Sequence, residues 1–255
     1  MGAGHAHALY VHEHSPVHRL APQVKLAAAF GFVLAVAVTP REAMWAFAID
    51  AAALAVVVRL ARLPVAFVLA RLAVILPFIT FAFLIPFVGS GERVDVLGVS
   101  VSQAGLWGAW NVLAKATLGA TVSILLAGTT EIPSILRGMA QLRVPETFTA
   151  ISAFMIRYLE LIAGDLRRMR TAMTARGYDP RWLWQARPIA TSAGALFIRS
   201  YERGERVHAA MLSRGYTGTM PALDRRVATK REWLIAAIAP GVATGTAITA
   251  FLALM

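Results

Sequence analysis

Apolar residues occur along this chain in stretches long enough to cross a lipid bilayer. A helix needs about 20 mostly apolar residues to span the hydrocarbon layer. The first candidate stretch is short and begins with Gln23 and Lys25, so we expect it to be tilted, extended by its neighbours or partly interfacial. The pattern predicts five spans, at about 23–38, 42–60, 65–88, 107–129 and 232–254.

The composition supports a membrane protein. Hydrophobic residues make up 58% of the chain and charged residues only 15%, a balance that is unusual for a soluble domain. We therefore interpret the chain as an all-α, polytopic integral membrane protein with about five membrane spans and a helical module outside them.

Charge predicts the orientation of the spans, because Lys and Arg accumulate on the cytoplasmic side. Arg19 and Lys25 lie at the start of the first span, and the connection between the second and third spans is also basic. The 89–106 loop, by contrast, carries a net charge of −1. We expect a cytoplasmic N-terminus, an external 89–106 loop and an external C-terminus.

Between the fourth and fifth predicted spans lies a strongly basic segment. Residues 131–231 hold 17 of the 25 basic residues and 8 of the 14 acidic ones. We divide the chain into residues 1–130 (tail and four spans), residues 131–231 (a basic cytoplasmic coupling module) and residues 232–255 (the final span). Proline and glycine positions predict three helices in the module, at about 131–142, 146–176 and 189–214.

The two long helices of the module end in the same phrase. The pattern Ala-Met-x-x-Arg-Gly-Tyr occurs at 172–178 and again at 210–216. A glycine just past the last helical residue is the usual helix stop, which places Arg176 and Arg214 at two helix tips. An arginine there also complements the helix dipole and needs no partner for that. The presence of the same phrase at both helix ends favours a matched pair of docking points.

A basic module has three ordinary explanations. Arginines close to a membrane bind anionic lipid, and some of these arginines are expected to do so. Nucleic acid is disfavoured, because acidic residues are interleaved with the arginines and no nucleic-acid-binding fold is recognisable. The paired tips favour the third explanation, docking to a soluble protein partner.

The motifs Ala175-Arg176-Gly177 and Ser213-Arg214-Gly215, on two helices behind four spans and before a final one, resemble the transmembrane (T) component of energy-coupling factor transporters. Within that family the cobalt-type member is the most similar, judging by the phrases at 213–218 and 18–26.

This resemblance implies a non-catalytic scaffold in a bacterial inner membrane, part of an importer for cobalt or nickel. Two ABC-type ATPase subunits would bind the x-R-G tips, formed by Ala175, Arg176, Gly177, Ser213, Arg214 and Gly215. ATP and Mg would be bound by those partners, with no cofactor in this subunit. A membrane-embedded subunit would bind the substrate.

Other functional classes find less support in the residues. The chain has three lysines, and none completes a G-x-x-x-x-G-K-[ST] phosphate-binding loop. Neither H-E-x-x-H nor G-x-S-x-G occurs, which disfavours an intramembrane enzyme. A stand-alone permease stays as the alternative, because Pro77 and Pro86 interrupt the third span.

Histidines are concentrated at the N-terminus. His5, His7, His12 and His14 form two alternating pairs in a polar tail, and imidazole is a good ligand for cobalt, nickel, zinc or copper. There is no cysteine to add a thiolate ligand. We interpret the tail as a weak, unselective metal binder and place the selective site in a partner subunit, with delivery or sensing as the alternative.

Two charges lie deep within the predicted spans. Asp50 and Lys115 each follow the outer end of their span by eight residues, which corresponds to a depth of about 12 Å. An unpaired charge at that depth is costly. Equal depth permits a structural ion pair between Asp50 and Lys115, which we favour over a substrate-ion path.

Overall fold

The computed structural model describes residues 10–88, 93–96, 99–179, 182, 186–218 and 226–254. Within these ranges the protein is almost entirely helical, which confirms the all-α prediction. The helices are α1 (Pro22–Val38), α2 (Met44–Leu60), α3 (Val65–Arg71), α4 (Leu76–Val88), α5 (Gln103–Thr129), α6 (Ile132–Gln141), α7 (Glu146–Ala175), α8 (Arg187–Leu212) and α9 (Lys230–Leu254).

Contacts divide the chain into two compact units. The first, which we call the helix core, comprises residues 1–142 and 226–255. The second, the helix pair, comprises residues 143–225 and contains α7 and α8. The sequence placed α6 in the basic module, whereas the structure groups α6 with the helix core.

The centre of the helix core is built from α1, α2, α5 and α9. This buried centre draws one or two apolar side chains from each of these helices, and α1 packs along α9. Burial of aliphatic and aromatic side chains at this centre holds the helices together by close packing. The cluster consists of Phe32, Val36, Phe47, Leu54, Leu118, Val122 and Ala243.

Glycines allow two close backbone approaches in the helix core. A Cβ at Gly105 would lie 2.7 Å from Pro86 Cα, so α5 begins directly against the end of α4. A Cβ at Gly138 would lie 2.8 Å from Leu26 Cδ1 and 2.9 Å from the carbonyl carbon of Pro22. The second approach explains why α6 belongs with α1: only a residue without a side chain fits at that crossing.

Four helical stretches in the described part of the chain are long and apolar enough to cross a membrane, judged by length and composition. Three coincide with the predicted third, fourth and fifth spans. The helix of the predicted first span, α1, has 17 residues and is shorter, and α2 is also 17 residues long. The fourth long stretch is α7, which belongs to the basic module predicted from the sequence. The four stretches are Val65–Val88, Gln103–Thr129, Glu146–Ala175 and Lys230–Ala253.

The third predicted span is not one regular helix. A 3₁₀ turn at Leu72–Ile75 joins α3 to α4, and Pro86 lies inside α4. The tighter 3₁₀ hydrogen bonding marks a local departure from α geometry just before Pro77. Beyond α4, strands β1 (Arg93–Val96) and β2 (Val99–Ser102) pair as a short antiparallel hairpin, which the sequence pattern did not predict.

Candidate functional site

The tip of α7 is a regular Schellman helix end. The Tyr178 amide donates to the Met173 carbonyl at 3.1 Å, and the Gly177 amide donates to the Thr174 carbonyl at 2.9 Å. Gly177 has a φ of +77°, the left-handed conformation that this ending requires and that glycine adopts without strain. Arg176 is therefore the last residue before the chain reverses direction.

The tip of α8 repeats this geometry bond for bond. The Tyr216 amide donates to the Met211 carbonyl at 3.0 Å, and the Gly215 amide donates to the Leu212 carbonyl at 3.0 Å. Gly215 has a φ of +82°. The predicted helix ends are thus confirmed in both copies, and the repeated sequence phrase produces a repeated backbone shape.

Exposure follows the same pattern at both ends. The methionine and the tyrosine of each phrase are half-buried, whereas Arg176, Arg214 and the residues on either side of them are exposed. Neither guanidinium makes a hydrogen bond or an ion pair with any residue that the structure describes. Each tip therefore presents five free N–H donors on a rigid turn, as recognition of carboxylates or carbonyl oxygens requires.

Helices α7 and α8 run antiparallel, so the two tips lie at opposite ends of the helix pair. The Ser192 hydroxyl, early in α8, lies 3.5 Å from the Met173 sulfur at the end of α7. Near the middle, Arg203 pairs with Asp165 at 3.6 Å. The tip of α8 lies beside a part of α7 that precedes Arg176 by roughly 20 residues. Since an α-helix rises about 1.5 Å per residue, the two tips are about 30 Å apart.

A groove of about 370 Å³ lies between the two helices. Phe154 and Tyr158 of α7 line it on one side, and Met211 and Tyr216 at the tip of α8 line it on the other. The half-buried Met and Tyr of the α8 phrase therefore anchor its tip against α7, while Arg214 stays outside.

Residues 13–223 match the sequence profile of the CbiQ cobalt transport protein family. This range includes both x-R-G tips and most of the chain. The chain belongs to the CbiQ cobalt transport protein family. Membership confirms the resemblance to the T component of energy-coupling factor transporters, and the apolar helices make the chain a multi-pass membrane protein.

Individual relatives agree with this CbiQ assignment over part of the chain. A putative fused cobalt transport protein CbiMQ from Methanocorpusculum labreanum is 30% identical over 109 residues, which is 43% of this chain and 18% of that protein. The cobalt transport protein CbiQ of Rhodobacter capsulatus is 32% identical over 104 residues, 40% of this chain and 42% of the relative. An uncharacterised protein of Methanocaldococcus jannaschii is 28% identical over 128 residues, 50% of this chain and 44% of the relative. The chain thus spans less than half the length of each of these relatives.

In this CbiQ-family chain Asp50 and Lys115 do not pair with each other, which corrects the expected ion pair. Asp50 is fully buried, and its Oδ1 lies 3.1 Å from the Thr246 hydroxyl of α9. Lys115 donates instead to the Ala37 carbonyl of α1 at 2.7 Å. Asp50 and Lys115 were expected to pair because they lie at the same depth in their spans. Depth does not determine the direction in which each helix points its side chain.

The helix core uses two lysines in a reciprocal way. Lys115 of α5 donates to one of the last carbonyls of α1, and Lys25 of α1 donates to the Thr129 carbonyl at the end of α5, at 2.8 Å. Carbonyls in the last turn of a helix have no partner within the helix, and a cation there also complements the helix dipole. Each lysine thus supplies a donor to the C-terminal end of the helix that carries the other.

Lys25 also fastens the segment that precedes α1. Its ammonium donates to the His18 carbonyl at 3.2 Å and to the Thr130 hydroxyl at 3.2 Å. The Val11 amide donates to the Gly128 carbonyl at 3.0 Å. The N-terminal segment is thereby attached to the end of α5 at several points.

His18 holds this segment in a fixed tautomer. Its Nε2 lies 3.1 Å from the Val11 carbonyl, which only accepts, so Nε2 carries the proton. Its Nδ1 then accepts from the buried Ser15 hydroxyl at 2.7 Å. Burial lowers the pKa of His18 below its ordinary value, and the nearby Lys25 charge acts in the same direction.

The described histidines of the tail do not form a metal site. His12 and His14 are exposed, and no group of three potential His, Cys, Asp or Glu ligands comes together among the described residues. His5 and His7 lie outside the described residues. The weak metal binding predicted for the tail stays a prediction.

A capping box at the start of α9 went unpredicted although its signal is local. The Thr229 amide and hydroxyl donate to Glu232 Oε2 at 2.8 and 3.1 Å, and the Glu232 amide donates to the Thr229 hydroxyl at 3.3 Å. The motif Thr-x-x-Glu before an apolar run is the sequence signature of this cap. Arg226 adds an ion pair with Glu232 and a hydrogen bond to the Arg19 carbonyl, which ties the start of α9 to the N-terminal segment.

Proposed function

We propose that this chain is the membrane scaffold of an ATP-driven cobalt or nickel importer, and that its two arginine tips dock two ATPase subunits. The observation that carries the proposal is the pair of Schellman ends with the same backbone hydrogen bonds, each presenting a guanidinium without a described partner, at opposite ends of one helix pair. A single tip is accounted for by helix capping alone. Two tips of the same shape fit two copies of the same kind of groove.

The chemistry of the tip defines the partner surface. A guanidinium binds carboxylates and carbonyl oxygens through a planar set of donors. A groove lined with such acceptors on each ATPase would enclose Arg176 or Arg214 and leave the half-buried Met and Tyr to hold the helix end. ATP and Mg belong to those partners in this proposal.

The spacing of the tips supports a coupling role. A separation of about 30 Å is comparable to the diameter of a small domain, so the tips can engage two subunits at once. A change in the distance between two ATPases would then change the angle between α7 and α8, since each helix is stiff. The helix pair would transmit this movement to the membrane.

We place the substrate site in a separate membrane subunit. The name of the Methanocorpusculum labreanum relative describes a fusion, CbiMQ, and a fused chain supports close association between a CbiQ-type component and another transport component. The basic helix pair would lie on the cytoplasmic side, with the N-terminus also cytoplasmic and the C-terminus outside. Anionic lipid would contact the arginines that remain free.

The test is co-purification of the chain with both ATPases and measurement of cobalt uptake. We expect Arg176→Ala and Arg214→Ala each to weaken docking by about 2–5 kcal/mol, because acceptors in the partner lose their donor. The double variant should lose both ATPases and all uptake. Arg170→Ala on α7 and Arg199→Ala on α8 are matched controls, since both arginines are exposed on the same helices but lie six and fifteen residues before Arg176 and Arg214.

A subtler variant moves the arginine without removing it. Gly215→Ala forces a Cβ into the left-handed conformation at a cost of about 1–2 kcal/mol, and we expect intermediate docking. Normal ATPase content and normal uptake in the double arginine variant would contradict the docking role.

A stand-alone permease is the second candidate, and the broken third span favours it. Broken helices in transporters surround substrate pathways. Uptake by the purified chain alone in vesicles would establish the permease, whereas uptake that requires added ATPases and ATP would exclude it.

A further inference from the structure

Asp50 is the one fully buried carboxyl group among the described residues, and the transport proposal gives it no role. It lies on α2 between Phe47 and Leu54, one turn from each, on the face that forms the centre of the helix core. Its one described hydrogen-bond partner is Thr246 of α9, and its Oδ2 has none.

The Thr246 hydroxyl has two acceptors within hydrogen-bond distance but only one proton to donate. Its hydroxyl oxygen lies 2.9 Å from the Ala243 carbonyl and 3.1 Å from Asp50 Oδ1. A hydroxyl has one proton and donates one such bond. If Thr246 donates to the Ala243 carbonyl, the bond to Asp50 needs a proton on the carboxyl group.

No described cation is placed to stabilise a charged Asp50. Helices α9 and α5 pack against α2, and Phe32 and Val36 of α1 belong to the same buried cluster. The one titratable residue of α1, Lys25, is engaged with the Thr129 carbonyl. The one titratable residue of α5 is Lys115, which is engaged with the Ala37 carbonyl. The titratable residues of α9 are its first three, of which Glu232 lies nearest to Thr246, about 21 Å away along the helix. Arg59 of α2 itself is nine residues, or about 13 Å, from Asp50.

We infer that Asp50 is a protonated, neutral carboxylic acid in the folded protein and donates its proton to the Thr246 hydroxyl. The donor chain runs from Asp50 Oδ1 to Thr246 Oγ1 and on to the Ala243 carbonyl, and each contact then has one proton. Oδ2 becomes an uncharged carbonyl oxygen, whose lack of a partner is far less costly than that of a carboxylate oxygen. The helix core thus contains a proton-binding site that joins α2 to α9.

Infrared spectroscopy of the full-length chain at neutral pH tests this directly. The C=O stretch of a protonated carboxyl group is separate from the stretches of a carboxylate. We expect such a band in the wild-type spectrum and its loss in Asp50→Asn. The thermal unfolding midpoint of Asp50→Asn should be unchanged, because the amide N–H₂ replaces the acid as donor to Thr246.

Changes at Thr246 provide the second arm of the test. Thr246→Val removes the acceptor, so the carboxyl band should shift and the unfolding midpoint should fall, whereas Thr246→Ser keeps the hydroxyl and should preserve both. Glu232→Gln is the control, since it changes a carboxylate held by Arg226 and Thr229 and should leave the band intact.

Two results would overturn the inference: a wild-type spectrum without the protonated-carboxyl band, or a band that persists in Asp50→Asn. If Asp50→Asn does not fold, the test is the position of the carboxyl band in wild type compared with Thr246→Val. A band present in wild type and shifted in Thr246→Val supports the inference, and a band that is absent or unshifted refutes it.

Discussion

The helix core and the helix pair come from one chain but bury their apolar residues very differently. In the helix core Phe32 and Phe47 are 2% and 3% exposed, whereas in the helix pair Phe148 and Phe197 are 67% and 70% exposed. Neither α7 nor α8 has a buried residue. Such exposed apolar surface indicates contact with something other than this chain. The comparison shows that the helix core, although it also exposes side chains such as Phe30 and Phe83, has a buried centre of its own, whereas α7 and α8 have none.

Glycine use reflects the same difference. Added side chains at Gly105 and Gly138 in the helix core would collide with backbone atoms of neighbouring helices. Added side chains at Gly194 and Gly204 in α8 would meet nothing within 4 Å. Gly105 and Gly138 permit close contact between helices, while Gly194 and Gly204 inside α8 only lower its helix propensity.

The largest expected effect follows from this contrast. Gly105→Ala places a Cβ 2.7 Å from Pro86 Cα and 2.9 Å from the Ile85 carbonyl oxygen. Because backbone atoms must move, we expect a loss of about 1–3 kcal/mol of stability. Gly194→Ala should instead be neutral or stabilising by up to about 1 kcal/mol. The thermal unfolding midpoints of the two variants in detergent measure these changes. Equal midpoints would contradict the proposed difference between the helix core and the helix pair.

A second variant tests how the helix core is fastened at its N-terminal end. Lys25→Met keeps the length of the side chain but removes the donor to the Thr129 carbonyl, the Thr130 hydroxyl and the His18 carbonyl. We expect a destabilisation of about 1–3 kcal/mol, the cost of buried acceptors without a donor. Lys230→Met, an exposed lysine at the start of α9, is the control. An unchanged unfolding midpoint for Lys25→Met would show that water replaces the ammonium.

The smallest expected effect is a pH dependence at the N-terminal segment. The pKa of His18 is lowered in the folded protein by burial, so the unfolded chain takes up the proton at higher pH. Attachment of the segment should therefore be full above the unfolded pKa of about 6.5 and weaken as the pH falls below it. Hydrogen exchange at the Val11 amide, corrected for the intrinsic rate, should become faster as the pH is lowered from about 7.5 to about 5.5.

His18→Asn should abolish this pH dependence, while His208→Asn in the helix pair should leave it unchanged. Protection of Val11 that does not vary with pH in the wild type would show that the other attachments are sufficient without His18.

Much of this fold was predictable because its signals are local. Long apolar runs located α4, α5 and α9, and the Arg-Gly-Tyr phrases predicted both helix ends together with the left-handed glycines. The resemblance drawn from the motifs was also correct, since the chain belongs to the CbiQ family. The docking role of Arg176 and Arg214 stays a prediction, because it depends on surfaces that belong to other proteins.

Most of the features missed depend on three-dimensional placement. The partners of Asp50 and Lys115 depend on how each helix is rotated about its axis, which the hydrophobic pattern leaves open when a span is apolar all round. The position of α6 depends on one close approach at Gly138. The capping box at Thr229 and Glu232 was visible in the sequence and could have been predicted.

The reciprocal lysines also have a consequence for how the protein is made. α1 leaves the ribosome long before Thr129 and Lys115 exist, yet its buried ammonium and its terminal carbonyl find their partners on α5. We expect α1 to remain beside the insertion machinery until α5 arrives, and crosslinking of nascent chains stopped before and after α5 would show release only in the longer ones. The two helices would then enter the lipid phase as a unit, so the order of synthesis along this chain differs from the order in which its spans become settled in the membrane.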